Sequence, residues 1–169
     1  KVVEPGTAYQ MVSMLQGVVQ RGTGRRIAEL RLPLAGKTGT TNQSLDTWFV
    51  GFSPDLAVGV FVGFDEPRSL GKRETGSNVP APIFKEFMAQ ALAGQSVVPF
   101  RVPSEIRLVR VNPTTGFAAL PGERSSILEA FKPGTAPPDA EVGRLLPTIG
   151  EKAGIEATGE VRRPRRGIY

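Results

Sequence analysis

Residues 34–42 have the sequence Leu-Ala-Gly-Lys-Thr-Gly-Thr-Thr-Asn, in which a lysine and several hydroxyls surround two glycines. Side chains two positions apart on a strand share a face, so Thr38 and Thr40 should present both hydroxyls on one side. Lys37 adds a fixed positive charge and up to three hydrogen-bond donors. A carboxylate bound here would accept hydroxyl hydrogen bonds supported by the lysine charge, which strengthens them. The pattern indicates a strand edge that binds an anionic carbonyl substrate.

The backbone of the same segment suits acyl chemistry. Gly39 carries no side chain, so a substrate backbone could lie directly against the strand. The Thr40 N–H could then donate to an acyl oxygen as one donor of an oxyanion hole. Lys-Thr-Gly alone is a common tripeptide, however, and also fits an ordinary lysine beside a glycine-containing turn. The flanking segments therefore have to decide between the two interpretations.

Hydrophobic periodicity predicts two helices and three strands around this segment. Apolar residues recur at helical spacing over Thr7–Gln20 and over Pro80–Leu92, the second with proline in its first turn. The predicted strands are Leu32–Thr41, Thr47–Phe52 and Ala57–Phe64. The last two are almost continuously apolar, which is typical of strands covered on both faces. We expect an α/β (α+β) fold in which helices sandwich an antiparallel sheet.

The second half of the chain has a different character, because prolines recur from Pro99 onward. Residues 106–111 alternate in polarity and residues 112–116 form a turn signal, after which residues 117–120 could pair back. We therefore predict two parts: residues 1–94, and a proline-rich extension of residues 95–169 with one hairpin over 106–120 and a basic tail.

Composition excludes several kinds of chemistry. The 169 residues contain no cysteine and no histidine, so a Ser-His-Asp triad, a thiolate nucleophile and Cys- or His-ligated metals are impossible within the chain. A general base must be Lys, Asp, Glu or Tyr. The net charge of +5 owes much to arginines in residues 162–166, which lack interleaved aromatics, so nucleic-acid binding is disfavoured. Lys1 follows no initiator Met, and the chain has the character of a fragment.

Four segments in order carry a resemblance to a known family: residues 17–24 (GVVQRGTG), 34–42 (LAGKTGTTN), 46–52 (DTWFVGF) and 60–65 (VFVGFD). Together they resemble the C-terminal part of penicillin-binding transpeptidase domains, over about residues 5–93. They look closest to the class A bifunctional proteins, which add a glycosyltransferase domain upstream. The resemblance implies a penicillin-binding transpeptidase/β-lactamase-like fold that is incomplete in this chain. Lys-Thr-Gly is one of three signatures of that superfamily.

The resemblance also implies roles for residues 37–40. Thr38 and Thr40, on either side of Gly39, would hold the carboxylate of a D-Ala-D-Ala stem peptide of peptidoglycan or of a β-lactam. The Thr40 N–H would complete the oxyanion hole, and Lys37 would polarise the site and assist proton transfer. No metal or organic cofactor is implied. The implied partners are the upstream half of the same domain and a membrane anchor outside this chain, on the periplasmic face of the cytoplasmic membrane.

The family's nucleophilic serine is missing from this pattern. Its Ser-x-x-Lys and Ser-x-Asn motifs precede Lys-Thr-Gly, yet none of the 36 residues before Lys37 forms either. Ser69 and Lys72 do spell Ser-x-x-Lys, but they follow the third motif in a polar, glycine-containing loop. The chemistry needs the two side chains one helical turn apart. Ser44–Asp46 is likewise predicted to be a loop, so we expect the nucleophile to lie outside this chain.

Two alternatives stay open at this stage. A serine β-lactamase or D,D-carboxypeptidase would share the motif and differ only in using water to resolve the acyl-enzyme. A non-catalytic binding or structural module with a basic tail would need no nucleophile at all. If the isolated chain lacks upstream helices, its apolar sheet face is uncovered and the chain should associate or aggregate.

Overall fold

The computed structural model describes residues 2–138, which form two helices, five strands and short 3-10 turns. The helices are α1 (Pro5–Arg21) and α2 (Pro80–Ala91), and a 3-10 helix spans Arg25–Leu30. The strands are β1 (Ala35–Thr40), β2 (Asp46–Phe52), β3 (Ala57–Gly63), β4 (Arg107–Val111) and β5 (Ile127–Phe131). Every helix and strand predicted within residues 1–94 is present. The helix predicted from Thr7 begins at Pro5 instead, because proline suits a first turn whose N–H has no helical partner.

Strands β1, β2 and β3 form an antiparallel meander with β2 in the centre. The register pairs Thr38 with Phe49 and Thr40 with Thr47, so these four residues share one face of the sheet. A tight turn joins β2 to β3, in which the Leu56 N–H donates to the Ser53 hydroxyl. This register decides which side chains meet the helices.

The face that carries Phe49 forms the hydrophobic core. Phe49 packs against Phe84 of α2 with ring centroids 4.7 Å apart, and both rings are fully buried. Val19 of α1 and Ile27 of the 3-10 helix complete the same buried cluster. The predicted α/β (α+β) class, with helices and an antiparallel sheet, is confirmed, but the helices among residues 2–138 cover one face of the sheet and do not sandwich it.

The opposite face of the sheet is apolar but exposed. Trp48, Val50 and Phe61 keep 43%, 51% and 50% of their surface accessible. Trp48 and Phe61 stack on each other with centroids 4.7 Å apart. Within residues 2–138 both long helices pack on the Phe49 side, so cover for this second face does not come from the described part of the chain.

The hairpin predicted over residues 106–120 forms only in part. Strand β4 pairs with β5, whereas residues 117–120 contribute only an isolated bridge between Val111 and Ala118. The turn itself forms, with Asn112 N–H donating to Phe117 O. Pairing stops there because the Glu123 carboxylate accepts the Leu120 N–H at 3.0 Å and Pro121 has no N–H to donate.

The described residues divide into two compact units. The first comprises the chain up to Arg110 together with Leu128–Ala136, and the second contains Val111–Ile127. The predicted boundary after residue 94 falls inside the first unit. The predicted basic tail of residues 162–166 lies outside the described residues. No helix among residues 2–138 has the length and apolarity needed to cross a membrane.

Candidate active-site edge

Strand β1 lies at one edge of the meander and leaves a row of backbone groups without a strand partner in the described part of the chain. Just beyond the strand, the Thr41 N–H donates to Asp46 O at 3.0 Å, so it is directed toward β2. Backbone groups alternate in direction along an antiparallel strand. The Thr40 N–H is therefore directed away from β2, toward the open edge.

Lys37 reaches this edge from the opposite face of the sheet. Its register partner is Val50, which lies on the exposed apolar face, whereas Thr38 pairs with Phe49 on the helix-covered face. The exposed Lys37 side chain bends so that Nζ donates to the Thr38 carbonyl at 2.8 Å. The ammonium and the two threonine hydroxyls thus leave the strand on different sides and are brought together only along its edge.

The hydroxyls of Thr38 and Thr40 share one face, as the alternation predicted, and each has a partner within the chain. The Thr38 Oγ1 lies 2.8 Å from the Thr23 Oγ1, and either atom could be the donor. The Gly76 N–H donates to the Thr40 Oγ1 at 3.0 Å. Both contacts orient the two hydroxyls beside the open edge of β1.

The turn before α2 closes over the end of β1. The Ser77 hydroxyl donates to the Thr23 carbonyl at 2.9 Å. A Cβ on Gly76 would lie 2.7 Å from Gly39 O and 2.7 Å from Trp48 O, so only glycine fits at this position. The result is a polar cluster in which three segments of the chain meet.

Sequence reasoning missed Thr23, Gly76 and Ser77. Thr23 lies in the run of residues 17–24 that carries part of the resemblance, but its pattern alone assigns no role to the hydroxyl. Thr23 and Ser77 are 54 positions apart, so no local spacing could reveal their contact. Only the position of Gly76, in a loop that must approach a strand, offers a sequence signal.

The second Ser-x-x-Lys pattern does not form a helical pair. Ser69 and Lys72 lie in the loop between β3 and α2, where the backbone of Gly71 has a φ of +127°. The Ser69 hydroxyl donates to Gln43 O at 2.8 Å and accepts the Gly71 N–H at 3.2 Å. The prediction that this pair lies in a loop is confirmed.

The two described residues with shifted pKa values lie away from β1. Burial raises the pKa of Tyr9, and a hydrogen bond from Lys85, reinforced by the lysine charge, lowers the pKa of Glu29. Neither residue belongs to the edge. Arg68 stacks over the Phe64 ring at 3.9 Å, and no group of three acidic side chains suited to a metal ion occurs among residues 2–138.

The chain is similar to known proteins over most of its length. Penicillin-binding protein 1A of Rickettsia conorii is 47% identical over 132 residues, which are 78% of this chain and 16% of that protein. Penicillin-binding protein 1A of Pseudomonas aeruginosa is 45% identical over 139 residues, or 82% of this chain and 17% of that protein. The chain thus spans about a sixth of the length of these curated relatives.

A solved structure shows the same fold. The crystal structure of penicillin-binding protein 1A from Haemophilus influenzae superposes with a TM-score of 0.71 at 30% identity, over 80% of this chain and 21% of that one. Residues 1–89, which contain the whole β1 edge and its polar cluster, match the penicillin binding protein transpeptidase domain. This chain belongs to the penicillin-binding protein transpeptidase family.

Proposed function

We propose that the chain is the C-terminal segment of a peptidoglycan D,D-transpeptidase that cross-links stem peptides through a serine acyl-enzyme and is trapped by β-lactams. The observation that carries this proposal is the open edge of β1. There the Thr40 N–H, the Thr38 and Thr40 hydroxyls and the Lys37 ammonium come together on one short strand. This segment supplies the groups that bind the electrophile.

The open edge explains how a substrate would be held. An extended peptide can add to an unpaired strand edge through backbone hydrogen bonds. In that position the Thr38 and Thr40 hydroxyls donate to the substrate carboxylate, and the Thr40 N–H donates to the acyl oxygen. One oxyanion donor of this kind contributes about 2.7–4 kcal/mol to lowering the barrier.

Lys37 supplies charge at the same edge. Its Nζ lies 2.8 Å from Thr38 O, and a rotation of the side chain would let the ammonium donate to an incoming carboxylate or to the leaving group. In the proposed reaction an upstream serine attacks the carbonyl between the two D-Ala residues. The terminal D-Ala leaves, and an acceptor amine then resolves the ester. A β-lactam would acylate the same serine and block it.

The rest of the parent protein is proposed from the same similarity. The exposed face with Trp48, Val50 and Phe61 is the side on which an upstream half of the domain would pack. We place a glycosyltransferase domain and a membrane anchor further upstream, and the catalytic domain on the extracytoplasmic side of the cytoplasmic membrane.

The first test measures acylation of the parent protein by a fluorescent penicillin. Lys37→Ala should lower the acylation rate by at least about a hundredfold, since charge and donor are lost where charge develops. Lys72→Ala is the matched control and should leave the rate unchanged, because Lys72 lies in the exposed loop beside Ser69. Equal rates for the Lys37 variant and the unchanged protein would contradict the proposal.

The second test locates the nucleophile by intact mass. This chain alone should gain no penicilloyl adduct, whereas a mixture with the upstream half should gain one on the upstream half. An adduct on this chain, removed by Ser69→Ala, would overturn the assignment.

A third test separates the transpeptidase from a carboxypeptidase by the products that the parent protein forms from a stem peptide. Products in which the stem peptide is joined to an added amine identify a transpeptidase. Products that are only hydrolysed, with a free carboxylate, identify a carboxypeptidase.

A further inference from the structure

We propose that Thr23 is a positioning residue that orients the Thr38 hydroxyl toward the bound carboxylate. This inference rests on the proposed function, because it presumes that Thr38 holds that carboxylate. The geometry that carries it is the 2.8 Å contact between the Oγ1 atoms of Thr23 and Thr38. The two residues come from different segments, the loop after α1 and strand β1, so the contact depends on the tertiary fold.

A hydroxyl has one hydrogen to donate and two lone pairs to accept. Without ligand either threonine can be the donor. When Thr38 donates its only hydrogen to a carboxylate, its oxygen must accept, and Thr23 becomes the donor. The bound anion therefore selects one direction for the pair, and each hydrogen bond polarises and strengthens the next.

Thr23 is itself held in place, which is what a positioning residue requires. The loop that contains it closes on α1, since the N–H groups of Gly22 and Gly24 both donate to Val18 O, at 3.1 Å and 3.0 Å. From the other side the Ser77 hydroxyl donates to Thr23 O at 2.9 Å. Threonine also has a restricted χ1. The hydroxyl consequently reaches Thr38 from a fixed direction.

Gly76 adds a second fixed partner on the same face. Its N–H donates to the Thr40 Oγ1 at 3.0 Å, which leaves the Thr40 hydroxyl hydrogen directed elsewhere. When Thr38 donates to a bound carboxylate, both threonine oxygens accept hydrogen bonds from the protein, Thr40 from Gly76 and Thr38 from Thr23. Both hydroxyl hydrogens are then directed outward, toward one anionic group.

The test compares a penicillin with its methyl ester on the full parent protein. The ester keeps the reactive ring but has no carboxylate for Thr38 to bind. The Thr23→Val variant removes the hydroxyl and keeps the shape. It should lower the rate of acylation by the penicillin about fivefold to tenfold, the effect expected from one hydrogen bond. It should lower the rate of acylation by the ester by less than about twofold. Where the ester acylates slowly, its competition with a fluorescent penicillin supplies the same comparison.

Three further variants make the result specific. Thr23→Ser keeps the hydroxyl and should restore the penicillin rate to within about twofold. Thr38→Val should lower the penicillin rate selectively. Thr135→Val removes an exposed hydroxyl that donates to Lys132 O in the turn after β5, and should change neither rate.

The outcomes separate this inference from the proposed function. An equal loss for penicillin and ester in Thr23→Val would show a purely structural residue and overturn the inference. If Thr23→Val leaves the rate of acylation by penicillin unchanged while Thr38→Val lowers it, the inference is overturned and the proposed function stands. If Thr38→Val leaves the ratio of the two rates unchanged, the carboxylate assignment fails and the inference fails with it.

Discussion

The two faces of the three-stranded sheet both carry large apolar side chains but lie in opposite environments. Phe49 and Phe84 are fully buried on the helix-covered face, whereas Trp48, Val50 and Phe61 on the other are about half exposed. Alternation along β2 sends neighbouring apolar residues to the two sides. The difference teaches that the helices among residues 2–138 cover one face of the sheet, whereas the other face remains about half exposed within those residues.

The largest expected effect is on the covered face. Phe84→Ala should destabilise the chain by about 3–5 kcal/mol, because it removes a fully buried ring that packs on Phe49. Phe61→Ala, on the exposed face, should cost about 1 kcal/mol or less, chiefly the loss of its stacking on Trp48. Urea unfolding of the chain at low concentration measures both. Equal costs would show that the exposed face is already covered.

A pair of glycines probes the space on each face. A Cβ on Gly51 would lie 2.7 Å from ring carbons of both Phe49 and Phe84, so Gly51→Ala should cost about 1–3 kcal/mol. A Cβ on Gly59 would meet only a Val50 methyl at 3.9 Å. Gly59→Ala should therefore be neutral or stabilise by up to about 1 kcal/mol. Thermal unfolding of the two variants checks the contrast, and a reversed order would contradict it.

The exposed face should also control association. The isolated chain is expected to self-associate through Trp48, Val50 and Phe61, and Val50→Lys should shift it toward monomer. Met14→Lys is a suitable control, since Met14 is 55% exposed on α1, a similar exposure to Val50. Sedimentation velocity over a range of concentrations measures the change. If the unsubstituted chain is already monomeric, the exposed face does not drive self-association.

The smallest effect concerns an ion pair beside the covered face. Lys85 of α2 lies 2.5 Å from Glu29 and lowers the pKa of Glu29 below its usual value near 4.5. A lowered pKa stabilises the folded state above the unfolded value, and that contribution is lost as pH falls through the folded pKa. Glu29→Gln should therefore lower the unfolding midpoint slightly near neutral pH and not at about pH 3.

The matched control for this pair is Glu66→Gln, in the exposed loop after β3. It should leave the unfolding midpoint unchanged at both pH values. A pH-independent difference between Glu29→Gln and the unchanged chain would mean that the carboxylate charge is not what stabilises the fold there.

Much of the first unit could be predicted because local pattern and tertiary environment agree. The apolar periodicity of α2 and the near-continuous apolar runs of β2 and β3 gave the correct elements, and the alternation of Thr38 and Thr40 gave their shared face. The sequence could not reveal which face the helices cover. Both faces are apolar, so that choice depends on packing between distant elements.

The missed features are all long-range contacts. Strand β5 was missed because Ile127–Phe131 is short and residues 117–120 are a nearer candidate partner for β4. Pairing with that nearer segment stops at the Glu123 carboxylate, which accepts the Leu120 N–H, and at Pro121, which has no N–H. The contacts of Thr23 with Thr38 and Ser77 join residues 15 and 54 positions apart. Such contacts arise from the path of the backbone, which no local propensity encodes.

Strand β5, which lies outside the residues that match the family, also contacts helix α1. Gln10 donates to Ala130 O at 3.0 Å, Lys132 contacts the Thr7 hydroxyl, and Arg21 lies 2.5 Å from Glu129. These three contacts span the helix from its first turn to its last, immediately before the loop that holds Thr23. Strand β5 and Lys132 thus hold α1 in place immediately before the loop that contains Thr23. A chain that ends at residue 94 lacks β5 and should show faster amide hydrogen exchange along α1. Unchanged exchange would contradict this role of β5.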